Sequence, residues 1–311
     1  MTVTPFKLHR NTEEQTVNEN PSTPGIEREA LVTFAATPPA PTVASEPARP
    51  LWLERLAGLA ETVVPPLVVA LALLAVWEIG MSGPEAGLPT PSKVVSESWE
   101  LISRPFMSGS GADQGLAWQL LASLERVFYG YSLAAIVGVL LGILLGQSLF
   151  AFRALDPLFQ VLRTVPPLAW LPISLATLKQ AEPSAVFVIF ITAIWPIILN
   201  TAVGVRNIPQ QYRNVARVLQ LNGWEFFIKI MLPASVPFMF TGLRIGVGMS
   251  WLAIVAAEML VGGTGIGFFL WDSWNSSLLS DMIVALAAIG LIGFALDRLL
   301  AALGALVQRG A

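Results

Sequence analysis

Between Leu133 and Gly146 the sequence reads LAAIVGVLLGILLG, and no charged residue occurs from Val127 to Phe152. The apolar segment around this run extends over 119–147, and a helix needs only ~20 such residues to cross the hydrocarbon core of a bilayer. Further apolar segments lie at roughly 63–82, 157–178, 184–205, 236–260 and 282–306. The pattern predicts an all-α membrane protein with about six transmembrane helices.

Composition agrees with this prediction and excludes several kinds of chemistry. Hydrophobic residues make up 54% of the chain and charged residues 13%, unlike an ordinary soluble domain. There is no cysteine and a single histidine, His9, which excludes disulfides and thiol catalysis and makes a metal site unexpected. No lysine follows a glycine, as the nucleotide-binding motif Gly-x-x-x-x-Gly-Lys-Ser/Thr requires. We therefore expect no ATP hydrolysis by this chain, no cofactor bound to it and no nucleic-acid partner.

Two regions of the chain differ in composition. Residues 1–48 are polar and rich in proline, without a sustained apolar period, which is typical of a disordered tail. Residues 49–311 hold all the apolar segments and are predicted to form the membrane domain. Within that domain, the third apolar segment carries Pro166, Pro167 and Pro172, so we expect its helix to be kinked or broken.

The loops between the apolar segments predict the orientation of the chain. Basic residues outnumber acidic ones in the 206–232 loop, whereas the 261–281 loop has acidic residues and no basic one. Cytoplasmic loops carry the excess of lysine and arginine. We therefore expect both termini in the cytoplasm. A separate amphipathic pattern over 94–102 predicts a helix at the membrane interface. The predicted outer loops are 83–118, 179–183 and 261–281.

The loop before the fifth segment contains a short amphipathic pattern. Its apolar residues recur at i, i+3, i+4 and i+7, which predicts a helix outside the membrane over 210–222. The apolar face comprises Tyr212, Val215, Ala216 and Leu219, and the other faces include Arg213, Arg217 and Gln220. Such a helix can rest on the bilayer surface or dock on a partner protein.

The motif around this helix favours docking. Asn214-Val215-Ala216-Arg217-Val218-Leu219-Gln220, followed after nine residues by Ile230-Met231-Leu232-Pro233, resembles the EAA loop of ABC importer permeases: Glu-Ala-Ala, three residues, Gly, nine residues, Ile-x-Leu-Pro. Asn214 replaces the family glutamate and Gln220 the family glycine, and we expect Asn222-Gly223 to supply the turn instead. The resemblance implies a type I ABC importer permease fold, with the 210–222 helix and Gly223 forming the contact with a separate ATPase subunit.

Further motifs narrow the resemblance. Leu88-Pro89-Thr90-Pro91-Ser92, Ser123-Leu124-Glu125-Arg126-Val127 and Gly242-Leu243-Arg244-Ile245-Gly246 resemble signatures of permeases for nitrate, sulfonates and taurine. The stretches 250–260 and 265–272 are similar to the nitrate and bicarbonate permeases of cyanobacteria. The resemblance implies import of a small inorganic anion and leaves nitrate and bicarbonate open. The alternative function is a secondary transporter or channel for a small anion, which has no use for a docking helix and normally shows internal repeats.

The resemblance also implies the partners of the chain. A second permease subunit, expected to be an identical copy, would enclose the path with this one in the inner (plasma) membrane. A periplasmic substrate-binding protein would deliver the anion. Two cytoplasmic ATPase subunits would hold ATP and magnesium and drive alternating access, through contacts that differ between the two states.

Charged and polar positions in the spans are candidates for the translocation path. They are Arg126, Arg163, Arg244, Ser250, Trp251 and Glu258. A charge at bilayer depth costs at least ~2.5 kcal/mol, so each arginine should face protein, water or the interface. Pairing or snorkelling is one explanation and contact with the anion the other, while Glu258 is expected to hold a structural partner. A stripe of Gly138, Gly142 and Gly146 indicates close helix packing, within the subunit or between subunits.

Overall fold

The computed structural model describes residues 51–83 and 87–310, which form twelve α-helices. The predicted disordered tail, residues 1–48, lies outside the described residues. The chain divides into two units, Met1–Glu61 and Thr62–Ala311. All the features discussed below lie in the second unit. In the first unit, the structure describes only the beginning of α1. The helices are α1 (Leu51–Gly80), α2 (Pro91–Glu97), α3 (Trp99–Ser103), α4 (Leu116–Gln147), α5 (Leu149–Thr164), α6 (Leu171–Leu178), α7 (Ala181–Arg206), α8 (Gln210–Val218), α9 (Gly223–Phe226), α10 (Leu232–Val261), α11 (Ile266–Asn275) and α12 (Leu279–Gly310).

Five helical stretches of the described chain are long and apolar enough to cross a bilayer. They are Val63–Gly80, Leu116–Gln147, Ala181–Arg206, Gly223–Val261 and Leu279–Gln308. The stretch Gly223–Val261 begins before the predicted apolar segment 236–260, because a short helix and a π-helical turn, Phe227–Met231, run directly into α10. The interfacial helix predicted over 94–102 is interrupted at Ser98, which separates α2 from α3.

The third predicted span is broken, as the prolines indicated. Leu149–Thr164 and Pro167–Leu178 are bent by 92° at the break, and together they make a sixth span if the pair is counted as one. Val165 ends α5 in an extended conformation, which is the backbone region that a residue before proline prefers. The span also begins at Leu149, eight residues before the predicted boundary at 157, because Ser148 caps α5 through its side chain.

The centre of the described bundle is α7, which packs against α4 on one side and α10 on the other. The glycine stripe of α4 makes this contact possible. A Cβ atom at Gly142 would lie 2.5 Å from Cβ of Thr201, and one at Gly146 equally close to Cβ of Val205. Gly242 on α10 faces α7 in the same way. The stripe therefore serves packing within the subunit, the first of the two alternatives.

Candidate functional site

A buried polar cluster joins α4, α7, α10 and α11 at one end of the bundle. Its centre is Glu258, near the end of α10, with only 2% of its surface exposed. One carboxylate oxygen of Glu258 accepts a hydrogen bond from Arg126 Nη1 at 2.6 Å, and Ser123 Oγ lies 2.8 Å from both oxygens. Arg126 also binds Glu182 at the start of α7 through Nε, at 2.7 Å, and through Nη2. Two carboxylates thus neutralise one arginine.

This polar cluster also fixes the turn between α10 and α11. The backbone N–H groups of Gly265, Ile266 and Gly267 donate to Gln119 Oε1, Ser123 Oγ and Glu258 Oε2 at 2.7, 2.9 and 3.0 Å. These groups at the beginning of α11 have no partner within their own helix, so side chains of α4 and α10 cap them. Gly265 has φ +147°, and a Cβ atom there would collide with the Glu258 carboxylate, so only glycine fits.

The sequence predicted Arg126 and Glu258 as candidates but missed their partners. Gln119, Ser123 and Arg126 are spaced at i, i+4 and i+7, and this polar face on an apolar helix was the available signal. Glu182 gave no such signal, because its contact with Arg126 joins residues 56 positions apart.

The remaining candidate path residues lie in different surroundings. Arg244 donates to Asp297 of α12 from Nε at 2.5 Å and from Nη2 at 2.6 Å. Trp251 is buried in the core, and its Nε1 donates to the Ile289 carbonyl at 2.9 Å. Ser250 is buried with no hydrogen-bond partner for its hydroxyl among the described residues. The structure therefore does not bring the six candidates together into one site.

Arg163 differs from the other two arginines. It lies in the last turn of α5, next to the break, and its side chain is exposed. Within residues 51–83 and 87–310, no ion pair involves Arg163, whereas Arg126 and Arg244 are each held by carboxylates. This contrast could not be derived from the sequence, because it depends on which helices pack together.

The predicted docking helix is α8, and it is shorter than predicted. It ends at Val218 instead of extending to Asn222, because Gln220 adopts a left-handed conformation with φ +51°. The N–H of Gln220 donates to the Arg217 carbonyl and that of Leu221 to the Ala216 carbonyl, which is the Schellman pattern of a helix end. Gln220 thus makes the turn of the family glycine itself.

The expectation that Asn222-Gly223 would supply this turn is wrong. Asn222 has φ −70° and caps α9, with its side chain accepting from the Glu225 N–H at 2.8 Å while the Glu225 carboxylate accepts from the Asn222 N–H. Gly223 is the first residue of α9. The glycine is therefore helical and makes no turn.

The apolar face of α8 is mostly open to solvent in the single subunit. Tyr212, Val215 and Leu219 expose 52%, 49% and 62% of their surface. Ala216, by contrast, is buried at 7% within the chain itself. The predicted docking face therefore consists of three exposed side chains around Ala216, which the rest of the chain covers. Arg213 and Arg217 are exposed beside it.

Comparison with known proteins identifies the chain's family. Residues 138–310 match the family described as binding-protein-dependent transport system inner membrane component. The chain belongs to this family. It is a multi-pass inner-membrane permease subunit of an ABC importer, and such a permease is non-catalytic and works with separate ATPase subunits and a binding protein. This membership decides against the secondary transporter or channel.

Individual relatives cover most of the permease. The nitrate import permease protein NrtB of Synechocystis is 58% identical over 245 residues, covering 79% of this permease and 89% of the relative. The bicarbonate transport system permease protein CmpB of Synechococcus elongatus is 48% identical over 253 residues, covering 80% and 90%. Among solved structures, a chain of the MetNI methionine ABC transporter superposes with a TM-score of 0.53 at 15% identity, covering 68% of this permease and 97% of that chain. The predicted importer permease fold is confirmed.

Proposed function

We propose that this permease imports nitrate, with bicarbonate as the second candidate. The observation that carries the proposal is the 58% identity to a nitrate import permease, against 48% to a bicarbonate permease. Both ions are small inorganic anions, so the two functions require a similar path. An anion that leaves water needs compensating donors or positive charge along that path.

The proposed mechanism is alternating access by two copies of this permease. A periplasmic binding protein presents the anion to the outer side, and two cytoplasmic ATPase subunits close on ATP. ATP can favour one state over the other only through contacts that differ between them. The exposed face of α8, formed by Tyr212, Val215 and Leu219, supports a role for this helix as that contact. Gly223 at the start of α9 would adjoin it.

The proposed orientation places both termini and α8 in the cytoplasm. The support is the charge distribution of the loops, because Arg213 and Arg217 are exposed on α8 while the turn and helix between α10 and α12 carry no basic residue. The buried polar cluster around Glu258 then lies at the outer end of the bundle, and α11 on the periplasmic side. The membrane domain is proposed to comprise 49–311, preceded by a tail over 1–48.

Uptake of labelled anions by cells that express the complete transporter tests the substrate. The host should lack its own nitrate and bicarbonate importers, and the cells should express this permease with its binding protein and ATPase subunits. We expect ATP-dependent uptake of ¹⁵N-nitrate that excess unlabelled nitrate abolishes and excess bicarbonate does not. Uptake of ¹⁴C-bicarbonate without nitrate uptake would decide for the second candidate. Uptake of neither anion would contradict the proposal.

A further inference from the structure

Helix α5 carries a polar stripe, which we define as Arg153, Asp156, Gln160 and Arg163. These residues are spaced by three, four and three positions and so lie on one face of the helix. The opposite side is apolar and exposed, with Leu158 and Val161 showing 51% and 63% of their surface. Because the polar and the apolar face of α5 are both uncovered, the helix is suited to lie between water on its polar side and lipid on its apolar side.

The break after α5 requires a similar environment. The chain bends by 92° between α5 and the following Pro167–Leu178 stretch. The last carbonyl groups of α5 therefore have no N–H partners in a continuing helix. Non-helical backbone at membrane depth is tolerated only where protein or a water-filled cavity surrounds it. Arg163 lies three residues before Pro166, directly beside this break.

The charges of the three intramembrane arginines are not equally available. Arg126 is bound by two carboxylates, and Arg244 forms a two-point contact with Asp297. On α5 itself, the Asp156 carboxylate accepts from Gln160 Nε2 at 2.6 Å and has no contact with Arg163 in the described chain. Arg163 therefore keeps its full positive charge and its hydrogen-bond donors for another group.

We infer that Arg163 binds the transported anion at the break of the third span, and that Gln160 and Arg163 face a water-filled path. The inference rests on the proposed function, because it takes an inorganic anion as the cargo. The guanidinium offers the donors and the charge that replace part of the anion's hydration. Arg153 lies at the other end of α5, roughly 15 Å away at 1.5 Å per residue, close to the cytoplasmic surface and outside this path.

The alternative position for α5 is flat on the cytoplasmic membrane surface, as amphipathic helices often lie. The two arrangements differ in the depth of Arg163. A helix lying flat keeps Arg153 and Arg163 at the same depth, both permanently in water. A helix entering the membrane places Arg163 far deeper than Arg153, where access from the cytoplasm changes with the transport state.

Single cysteines separate these arrangements, since the chain contains no cysteine of its own. Arg163→Cys and Arg153→Cys are each expressed in the complete complex and labelled with a membrane-impermeant thiol reagent in inside-out vesicles. We expect Cys introduced at 153 to react equally fast without nucleotide and with the ATPase subunits trapped by vanadate. Cys at 163 should change its rate severalfold between the two conditions. Equal and unchanged rates at both positions would overturn the inference, whichever anion is transported.

Uptake kinetics test the contact with the anion. Arg163→Gln should raise the half-saturating nitrate concentration of uptake by roughly tenfold or more, because a charged hydrogen-bond partner is lost. The half-saturating concentration of Arg163→Lys, which keeps the charge, should lie between those of wild type and Arg163→Gln. That of Arg153→Gln should match wild type.

An unchanged half-saturating concentration in assembled Arg163→Gln would refute the contact. If Arg163→Gln does not assemble, Arg163→Lys and the labelling rates decide. Failure of the wild type to import nitrate would instead count against the proposed function.

Discussion

Arg126 Nη1 lies 2.6 Å from a carboxylate oxygen of Glu258 and joins the first third of α4 to the end of α10. The same nitrogen donates to the Thr264 carbonyl at 2.5 Å, so this arginine also holds the turn that leads into α11. The pair is buried, with Glu258 exposed by only 2%. Pairing is therefore the explanation for Arg126 that the structure supports, because both sides of its guanidinium are occupied by carboxylates.

Removing one partner of this buried pair should destabilise the permease. Glu258→Gln leaves Arg126 with the partly exposed Glu182 alone, and we expect a loss at the lower end of the ~3–5 kcal/mol typical of broken buried pairs. Glu182→Gln removes the other carboxylate, whose side chain is 65% exposed, and should cost below ~1 kcal/mol. The thermal stability of the two purified variants should differ accordingly. Equal thermal stability of the two variants would contradict a stabilising role for the buried pair of Arg126 and Glu258.

Close packing of α4 on α7 predicts a strong effect of one added methyl group. Gly142→Ala places a Cβ atom 2.5 Å from Cβ of Thr201, and overpacking of this kind costs ~1–3 kcal/mol. Gly248→Ala on α10 is the matched control, because nothing lies within 4 Å of its added Cβ. Solubilised Gly142→Ala should melt at a lower temperature than wild type and Gly248→Ala should not. Similar melting of both variants would contradict the packing described.

The left-handed conformation of Gln220 predicts a stabilising substitution. An L-residue pays ~1–2 kcal/mol in this region, and glycine does not, so Gln220→Gly should stabilise the end of α8 by about 1 kcal/mol. Proteolysis of the loop in inside-out vesicles should slow. Gln220→Val, which is β-branched, should have the opposite effect. Faster cleavage of Gln220→Gly would indicate that the turn has another geometry.

The sequence predicted the elements of this fold better than their contacts. Apolar length predicted the spans, and the prolines at 166, 167 and 172 predicted the break of the third one. The end of α8 was missed because the left-handed turn uses glutamine, a residue type that carries no turn signal. The pairing of Arg244 with Asp297 was missed as well, since the two residues are 53 positions apart and meet only when α10 packs against α12.

The proposed orientation predicts labelling from opposite sides of the membrane. Arg213 on α8 and Ser276 at the end of α11 are both exposed, so a cysteine at either position should react without disturbing the core. Arg213→Cys should react with an impermeant thiol reagent only in inside-out vesicles, and Ser276→Cys only in intact cells whose outer membrane is permeabilised. Reaction of both from the same side would refute the proposed topology.

Docking of α8 on an ATPase subunit predicts that its exposed apolar residues control assembly. Ala216 is a poor test position, because it is buried within the permease and a charge there would destabilise α8 whatever the partner. Leu219, 62% exposed, is better suited. Leu219→Asp places an unpaired carboxylate in the proposed contact and should strongly reduce the ATPase subunit that copurifies, and ATP-dependent uptake with it. Leu219→Met keeps the volume and the apolar character, and should retain both.

The alternative location of this face on the lipid surface predicts a different pattern. A carboxylate at the edge of a surface helix reaches water, so Leu219→Asp would then loosen α8 from the membrane without changing ATPase binding. Val215→Asp, on the same face and 49% exposed, should repeat the assembly defect if the face docks on protein. Normal copurification and normal uptake by both aspartate variants, at wild-type amounts of permease, would therefore place the coupling contact elsewhere than on α8.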